Sequence, residues 1–306
     1  MKILVISSNL IGDTILSTGV IEEFSKKYPN AKFTFILGPS AAQIYKNFPA
    51  TENIIIIKKK NFNLHWLEMY KFVWKKKWEI IIDLRSSIIS YFLLKKKKYI
   101  FKKYKNLNHV DQLRKSFNLN NLSLIIHTSK NENNEAIQNI NKKFKHIIIF
   151  PGGNWIPKIW PIDYYNKLIN LLNNNFSNLK FIIVGSLEEK KIYSDKLKKG
   201  IADNIFIDLM GRSLTLTSAY MKHSNLFIGN DSGLMHLSVA SNLKTLALFG
   251  PTNDNVYGHK NSNSFIVRTS ESYKYFSDKS LDEKKSYMLS IDPKKVFDMI
   301  LKNNLL

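Results

Sequence analysis

The chain contains no cysteine, so neither a disulfide framework nor a thiolate-held zinc or iron-sulfur centre can form in it. Arginine is almost as scarce: Arg85, Arg114, Arg212 and Arg268 are the only four, and the other 42 of the 46 basic residues are lysine. Guanidinium forks for reading base edges are therefore few, which argues against nucleic-acid recognition despite a formal net charge of +22. No apolar run approaches the roughly 20 residues that cross a bilayer. The apolar start Ile3 to Ile6 is soon interrupted by Ser7, Ser8, Asn9 and Asp13, and neither a membrane span nor a signal peptide is expected. A reducing, cytoplasmic setting fits these absences. Two phosphate-binding signatures, G-x-G-x-x-G and G-x-x-x-x-G-K-[ST], are also missing, which removes the main support for a dinucleotide dehydrogenase or a P-loop enzyme.

What is present describes a folded α/β protein. At 306 residues and 44% hydrophobic content, the chain can bury two cores of ordinary domain size. The opening KILVISSNLIGDTILSTGVIEEFSKKYPNAKFTFILG reads as strand, loop, amphipathic helix, turn and second strand. Segment 30–36 and the runs 54–57, 80–82 and 147–150 look like buried strands, and further strands are expected at 180–184, 205–207, 226–229 and 245–249. Strands alternating with helices imply open parallel sheets. The polar stretch HTSKNENNEAIQNINKKFK precedes HIIIFPGGNW, which restarts the strand-then-loop pattern. The boundary is accordingly placed near 145, giving domains at 1–145 and 146–290. Asp292, Pro293, Val296, Met299 and Ile300 mark a final helix within 291–306.

Charge is unevenly shared. Residues 1–145 hold 26 Lys and Arg against 10 Asp and Glu, a net of +16, whereas 146–306 hold 20 against 14, a net of +6. A lysine bias arising from genome base composition would act on both halves alike, so the excess points to an acidic partner for the first. Against this stands the plainer view of lysine runs as a solvated surface. Residues 61–78 mix Phe62, Trp66, Tyr70, Phe72, Trp74 and Trp78 with Lys75, Lys76 and Lys77. They read as a helix with a core-facing row at Trp66, Tyr70 and Val73, or as an interfacial helix resting on an anionic leaflet.

Three loops, each after an expected strand, carry the chemistry. In Ser7 to Thr14, Gly12 can supply an unusual turn, and Asp13 serves either as a helix cap or as a general base in a cleft. In Phe150 to Pro161, Gly152 and Gly153 let the backbone approach a ligand closely and Lys158 offers a compact positive charge for phosphate, although such a Gly/Pro loop is often only a turn. In Gly229 to His236, the backbone N–H groups of Ser232 and Gly233 would form an anion site at a helix N-terminus, with His236 one turn further on. A Ser-His-Asp hydrolase built from Asp231, Ser232 and His236 is too compressed and lacks the G-x-S-x-G elbow.

Taken in order, these loops resemble the heptosyltransferase family, the ADP-heptose:lipopolysaccharide glycosyltransferases. The likeness runs through IGDTILSTGVIEEFSKKYPNAKF, FPGGNWIPKIWPIDYYNKL, FIIVGSLEE, LMGRSLTL, FIGNDSGLMHLSVASNLKTLALFGPTN and SIDPKKVFDMI. It departs at YKYFSDKSLDEKKSYML, where relatives commonly carry a cysteine. The resemblance implies a GT-B fold, two Rossmann-like domains facing each other across a cleft, with acceptor on the first and donor on the second. It implies transfer with inversion and without a metal or other cofactor, the nucleotide-diphosphate sugar being a substrate, with ADP-heptose the expected donor. On the same basis Asp13 matches the catalytic base, Lys158 the phosphate-binding lysine, and Asp231, Ser232, Gly233 and His236 the donor-diphosphate loop. Glu188 or Glu189 matches an acidic residue at the ribose. The acceptor would be the lipopolysaccharide core or a related acidic envelope glycan, reached from the cytoplasm by peripheral contact with the inner face of the membrane. The alternatives are the same fold acting on another nucleotide sugar, and a noncatalytic sugar-nucleotide or polyanion binder.

Overall fold

The computed structural model describes residues 1–58, 61, 64–199 and 201–306. They form two compact units, Met1–Ser129 and Lys130–Leu306. In the first, β1 (Lys2–Ile6) leads to α1 (Ile11–Leu16), α2 (Thr18–Lys27), β2 (Lys32–Leu37), β3 (Thr51–Ile56), α3 (His65–Val73), β4 (Trp78–Asp83), α4 (Ile89–Phe92), β5 (Lys95–Ile100) and α5 (His109–Ser116). All strand pairs are parallel, in the order β3-β2-β1-β4-β5. A parallel sheet is covered on both faces, so its central strands read as unbroken apolar runs. Ile3 to Ile6 in β1 and Ile80 to Ile82 in β4 are buried accordingly.

The second unit opens with α6 (Lys130–Asn139) and continues through β6 (Lys145–Phe150), α7 (Ile162–Asn175), β7 (Leu179–Ile183), α8 (Leu187–Lys198), β8 (Phe206–Asp208), α9 (Leu214–Met221), β9 (Leu226–Asn230) and α10 (Gly233–Ala240). It closes with β10 (Thr245–Phe249), α11 (Asp254–Tyr257), β11 (Ser264–Arg268), α12 (Tyr273–Ser277) and α13 (Pro293–Lys302). Its sheet is parallel, in the order β11-β10-β9-β6-β7-β8. Trp160, Tyr165, Leu168 and Phe181 share one core with Val296, Phe297 and Ile300 of α13. As the sequence implies, Asp292 caps α13 by accepting from Lys294 N at 2.7 Å, with Pro293 in the first turn.

Several expectations change. The division falls after Ser129 rather than near 145, because the polar stretch contains α6, which buries Ala136 and ties to the second unit. Glu132 accepts from the Thr215 hydroxyl, and Glu135 pairs with Arg212 at 2.7 Å. The run 54–57 is an edge strand with largely open side chains, only Ile57 being buried beyond its end. Strands β5 and β11 are absent from the sequence reading, since each lies at a sheet edge where no apolar run is required. β5 even begins with four lysines, a usual protection for an edge. The single helix expected near the start is two helices, parted at Ser17. Trp78 lies buried in β4 rather than on a helix, and Phe62 is outside the described residues.

Candidate functional site

In open α/β sheets, ligands collect beyond the carboxyl ends of the strands where the chain order reverses. In the first unit the reversal lies between β1 and β4, and in the second between β6 and β9. The three loops singled out in the sequence lie at these points.

In the first unit the segment after β1 turns directly into α1. Gly12 sits inside that helix, and among the described residues the glycines with positive φ are Gly185 and Gly211, so Gly12 does not make the unusual turn expected of it. Asp13 is not the N-cap either: Leu10 holds that position without a side-chain bond, and Asp13 stands in the first turn. Its Oδ2 accepts from Ser8 Oγ at 3.1 Å, while Ser8 Oγ accepts from Leu10 N. The carboxylate is half-buried and faces His109 at the start of α5. Burial draws the His109 imidazole below its ordinary pKa, and the negative charge of Asp13 opposes that shift. Across the reversal, buried Asp83 shapes the turn after β4 by accepting from Arg85 N at 3.0 Å, Ser87 N at 2.7 Å and Ser87 Oγ at 2.8 Å. Neither His109 nor Asp83 was selected from the sequence. An isolated histidine, and an aspartate at a strand end, carry no pattern of their own.

The second unit is organised around Asn230, fully buried at the end of β9. Its Nδ2 donates to the carbonyls of Gly152 at 2.8 Å and Pro151 at 3.3 Å. Its Oδ1 accepts from Trp160 N at 3.0 Å and lies 3.1 Å from the Tyr165 hydroxyl. One amide thus joins both ends of the loop after β6 to the loop after β9. Lys158 ends the short turn Ile156–Lys158 between those anchors and lies close enough to Asp231 to act on its titration. Burial raises the Asp231 pKa, and the positive charge of Lys158 pulls it back. Ser232 caps α10, its hydroxyl accepting from Met235 N, which leaves Gly233 as the first helical residue. A cation beside a helix N-terminus suits a diphosphate.

Gly152 and Gly153 bend over the first turn of α8. Glu189 accepts from Gly153 N through Oε1 at 2.8 Å and from Ser186 N through Oε2 at 2.7 Å, while Ser186 Oγ accepts from Glu189 N at 3.1 Å. This is a capping box that also holds the glycine loop. A Cβ at residue 152 would collide with the Glu189 carboxylate, so a side chain there would displace the group that holds the loop. Glu188, next to it, is exposed. The loop after β10 is clamped by Arg268, whose guanidinium donates to the carbonyls of Thr252 and Gly250 and pairs with Asp254 at 2.6 Å. The divergent segment near the C-terminus buttresses the lysine loop: Ser286 Oγ donates to Ile159 O at 2.6 Å and Tyr287 N to Pro157 O at 3.0 Å.

His236 is buried, with Nδ1 2.8 Å from Nε2 of His259. A catalytic triad would turn that nitrogen to an aspartate, so the hydrolase alternative has no geometry here. Among the described residues no group of three or more His, Asp or Glu is placed to hold a metal ion.

Two consequences can be measured. Asn230→Ala removes two donors and strands the Trp160 N–H, which should cost about 2–4 kcal/mol in urea unfolding. Asn230→Asp should not rescue it, because a carboxylate cannot donate to the two carbonyls; wild-type stability in either variant would remove Asn230 as the organiser. Burial also brings the His259 pKa down to about 4. The unfolded chain then binds the proton more readily, so the contribution of neutral His259 is complete above its ordinary value of about 6.5 and is lost as pH falls toward 4. His259→Asn should flatten the loss of unfolding free energy between about pH 7 and pH 4.5 by roughly 2–3 kcal/mol. A variant as acid-sensitive as the wild type would place the proton uptake elsewhere.

Comparison with known proteins agrees with this architecture. Residues 75–287 match glycosyltransferase family 9 (heptosyltransferase). The chain is 26% identical over 269 residues to lipooligosaccharide heptosyltransferase 2 of Campylobacter jejuni subsp. jejuni, covering 82% of each. It is 22% identical over 317 residues to lipopolysaccharide heptosyltransferase 3 of Escherichia coli, covering 92% of this chain and 93% of that one. Among solved structures it superposes on the family 9 glycosyl transferase of Veillonella parvula with a TM-score of 0.80 at 20% identity, covering 99% and 97% of the two chains. On E. coli heptosyltransferase WaaC with ADP the TM-score is 0.74 at 15% identity, covering 99% and 100%. The paired Rossmann-like units are those of the GT-B fold. The chain belongs to glycosyltransferase family 9, the heptosyltransferases, and is a glycosyltransferase.

Proposed function

We propose that the chain transfers a heptosyl group from ADP-heptose to a lipopolysaccharide core or related acidic envelope glycan, with inversion and without a metal. The observation that carries the reading is the meeting of Lys158 with the N-terminus of α10 at the reversal of the second sheet. That arrangement suits a nucleotide diphosphate. The ADP in the E. coli WaaC structure and the names of the Campylobacter and E. coli relatives support this donor and acceptor.

In the proposed reaction an acceptor hydroxyl oxygen attacks the anomeric carbon from the side opposite the diphosphate. The new glycosidic C–O bond forms as the C–O bond to phosphate breaks, the hydroxyl proton passes to Asp13, and ADP leaves with the bonding electrons. Asp13 suits this role because Ser8 orients its carboxylate at the reversal of the first sheet. Lys158 and the amides of Ser232 and Gly233 stabilise the charge growing on the leaving diphosphate, which is electrostatic preorganisation. Glu188 takes the ribose, since Glu189 is committed to the glycine loop. His236 and Asp231 support the loop from behind, through His259 and Lys158 respectively. The enzyme works in the cytoplasm, on an acceptor held in the membrane.

Asp13→Asn should lower the transfer rate by roughly 10²- to 10⁴-fold with ADP affinity unchanged in calorimetry; turnover near the wild-type rate would remove Asp13 from the mechanism. Lys158→Ala should weaken ADP by roughly 10- to 100-fold while leaving adenosine nearly unaffected, and equal losses for both would place the lysine away from phosphate. A chelator should leave the rate unchanged, whereas a strict Mg²⁺ requirement would overturn the metal-free reading. In a thermal-shift panel of nucleotide sugars ADP-heptose should stabilise most, and preference for another donor would reassign the sugar within the same fold.

A further inference from the structure

None of the residues given a role in the proposed reaction lies on α3 or α4, and the face of the first unit that carries these helices is unusual. Of the twenty large apolar side chains left exposed among the described residues, eight fall between 64 and 94. The others are spread over the rest of the chain, so the concentration is local. Leu67 is 61% exposed, Phe72 60%, Ile88 72% and Phe92 68%. Apolar surface gathered in this way marks an interaction site, whereas scattered single residues do not.

The two helices are neighbours. Met69 and Val73 of α3 share one buried cluster with Leu93, and Trp66, Tyr70 and Ile89 are packed against it from above. The Arg85 guanidinium, just before α4, lies 4.9 Å from the centre of the Trp66 ring. Their inner sides are thus anchored on one face of the sheet while the outer sides remain open.

Cations frame the open side. Residues 64–105 hold twelve Lys and Arg against three Asp and Glu, a net of +9. Two of those acids are already engaged by backbone: Asp83 in its turn, and Glu79 with Lys2 N at 2.7 Å. Lys75 to Lys77 lead into β4 and Lys95 to Lys98 begin β5, and the register pairs Trp78 with Lys95, so the two runs meet at the amino ends of these neighbouring strands. Lys98 sits over the Tyr91 ring and Lys75 over that of Trp74, at 2.9 and 5.2 Å from the centroids. Aromatic rings that share an apolar surface with lysines suit the headgroup layer of an anionic bilayer. No helix among the described residues is long and apolar enough to cross one.

We propose that α3, α4 and the lysines that follow α3 form a docking face for an anionic bilayer, with Ile88 and Phe92 entering the headgroup layer and Lys75–Lys77 meeting lipid phosphates. The reading of the acceptor as a membrane glycolipid gives this face its purpose, but the face itself rests on the surface just described. Alternation of lysine with apolar and aromatic groups favours a bilayer over a second copy of the chain, since two such faces would bring like charges together.

The test is cosedimentation of the full chain with vesicles containing phosphatidylglycerol, compared with phosphatidylcholine alone, at about 0.05 and 0.5 M salt. Binding should require the anionic lipid and weaken with salt. Each lysine near such a surface contributes roughly fivefold in partition, so Lys75→Glu with Lys76→Glu and Lys77→Glu should reduce binding by at least about 100-fold. Ile88→Ser with Phe92→Ser should reduce it about tenfold while keeping the same salt dependence. All five positions are exposed, and melting curves verify that the variants fold. ADP affinity and transfer to a delipidated acceptor should stay at wild-type values in both variants. That separates this proposal from the reaction: a chain that bound vesicles but not nucleotide would fail the functional reading alone. Absence of binding to anionic vesicles at low salt, or binding that neither variant weakens, overturns the docking face. So does a solution dimer that Ile88→Ser with Phe92→Ser dissociates in a chain that does not bind vesicles, which would assign the surface to self-association.

Discussion

The buried amide of Asn230 is the constraint on which the candidate site of the second unit depends. The loop after β6 leaves a fully buried strand and must expose its lysine without leaving backbone groups unpaired, because an unmade hydrogen bond in a core costs more than a made one gains. Two carbonyls, at Pro151 and Gly152, need donors, and the N–H of Trp160 needs an acceptor. Only a side-chain amide of this length serves both needs at once. Aspartate would offer acceptors alone, and leucine neither. With residues 151–152 and 160 fixed to the end of β9, the segment between them has little freedom, and Lys158 is held beside Asp231.

The first unit uses the same topology for different chemistry. At its reversal the buried carboxylate of Asp83 is saturated by three donors and serves the turn. Asp13, half-buried, accepts from the Ser8 hydroxyl and has a histidine nearby whose burial disfavours the cationic form. The second unit makes the opposite arrangement, with a lysine and a helix N-terminus gathered where negative charge is to be received. The division between a proton acceptor on one sheet and an anion site on the other is what the proposed transfer requires.

Much of this was legible in the sequence, and the illegible parts have identifiable reasons. Central strands such as β1, β4, β6 and β10 announce themselves because a strand buried on both faces has no polar positions to spare. Edge strands carry no such requirement, so Lys95 to Ile100 reads as a lysine run rather than a strand. The polar helix α6 was similarly hidden: its hold on α9 runs through Glu132 and Glu135, residues that look like a solvated linker until their partners are in place. Gly12 was misread because glycine signals a turn by frequency, whereas here it occupies a helix. Gly152 reads in the sequence as a point where the backbone nears a ligand, and what approaches it in the fold is the carboxylate of Glu189. Long-range roles of this kind, including Asn230 with Tyr165 and Arg268 with the loop at 250–254, have no local signature.

The lysines of the first unit admit a physical argument that composition alone could not provide. Charge on an edge strand prevents sheets from adding to one another, and that would account for Lys95 to Lys98. It does not account for Lys75 to Lys77, which lie in the connection between α3 and β4 and border no open strand edge. Nor does edge protection explain why Ile88 and Phe92, in the segment that leads into β5, are left 72% and 68% exposed, since exposed apolar groups near an edge invite the association that the charges would prevent. A bias in base composition would have spread lysine over both units, yet residues 64–105 alone carry +9 of the chain's +22. Cations and apolar rings on one face are mutually consistent only against a surface that is itself charged outside and apolar beneath, and a leaflet of anionic lipid has that layering.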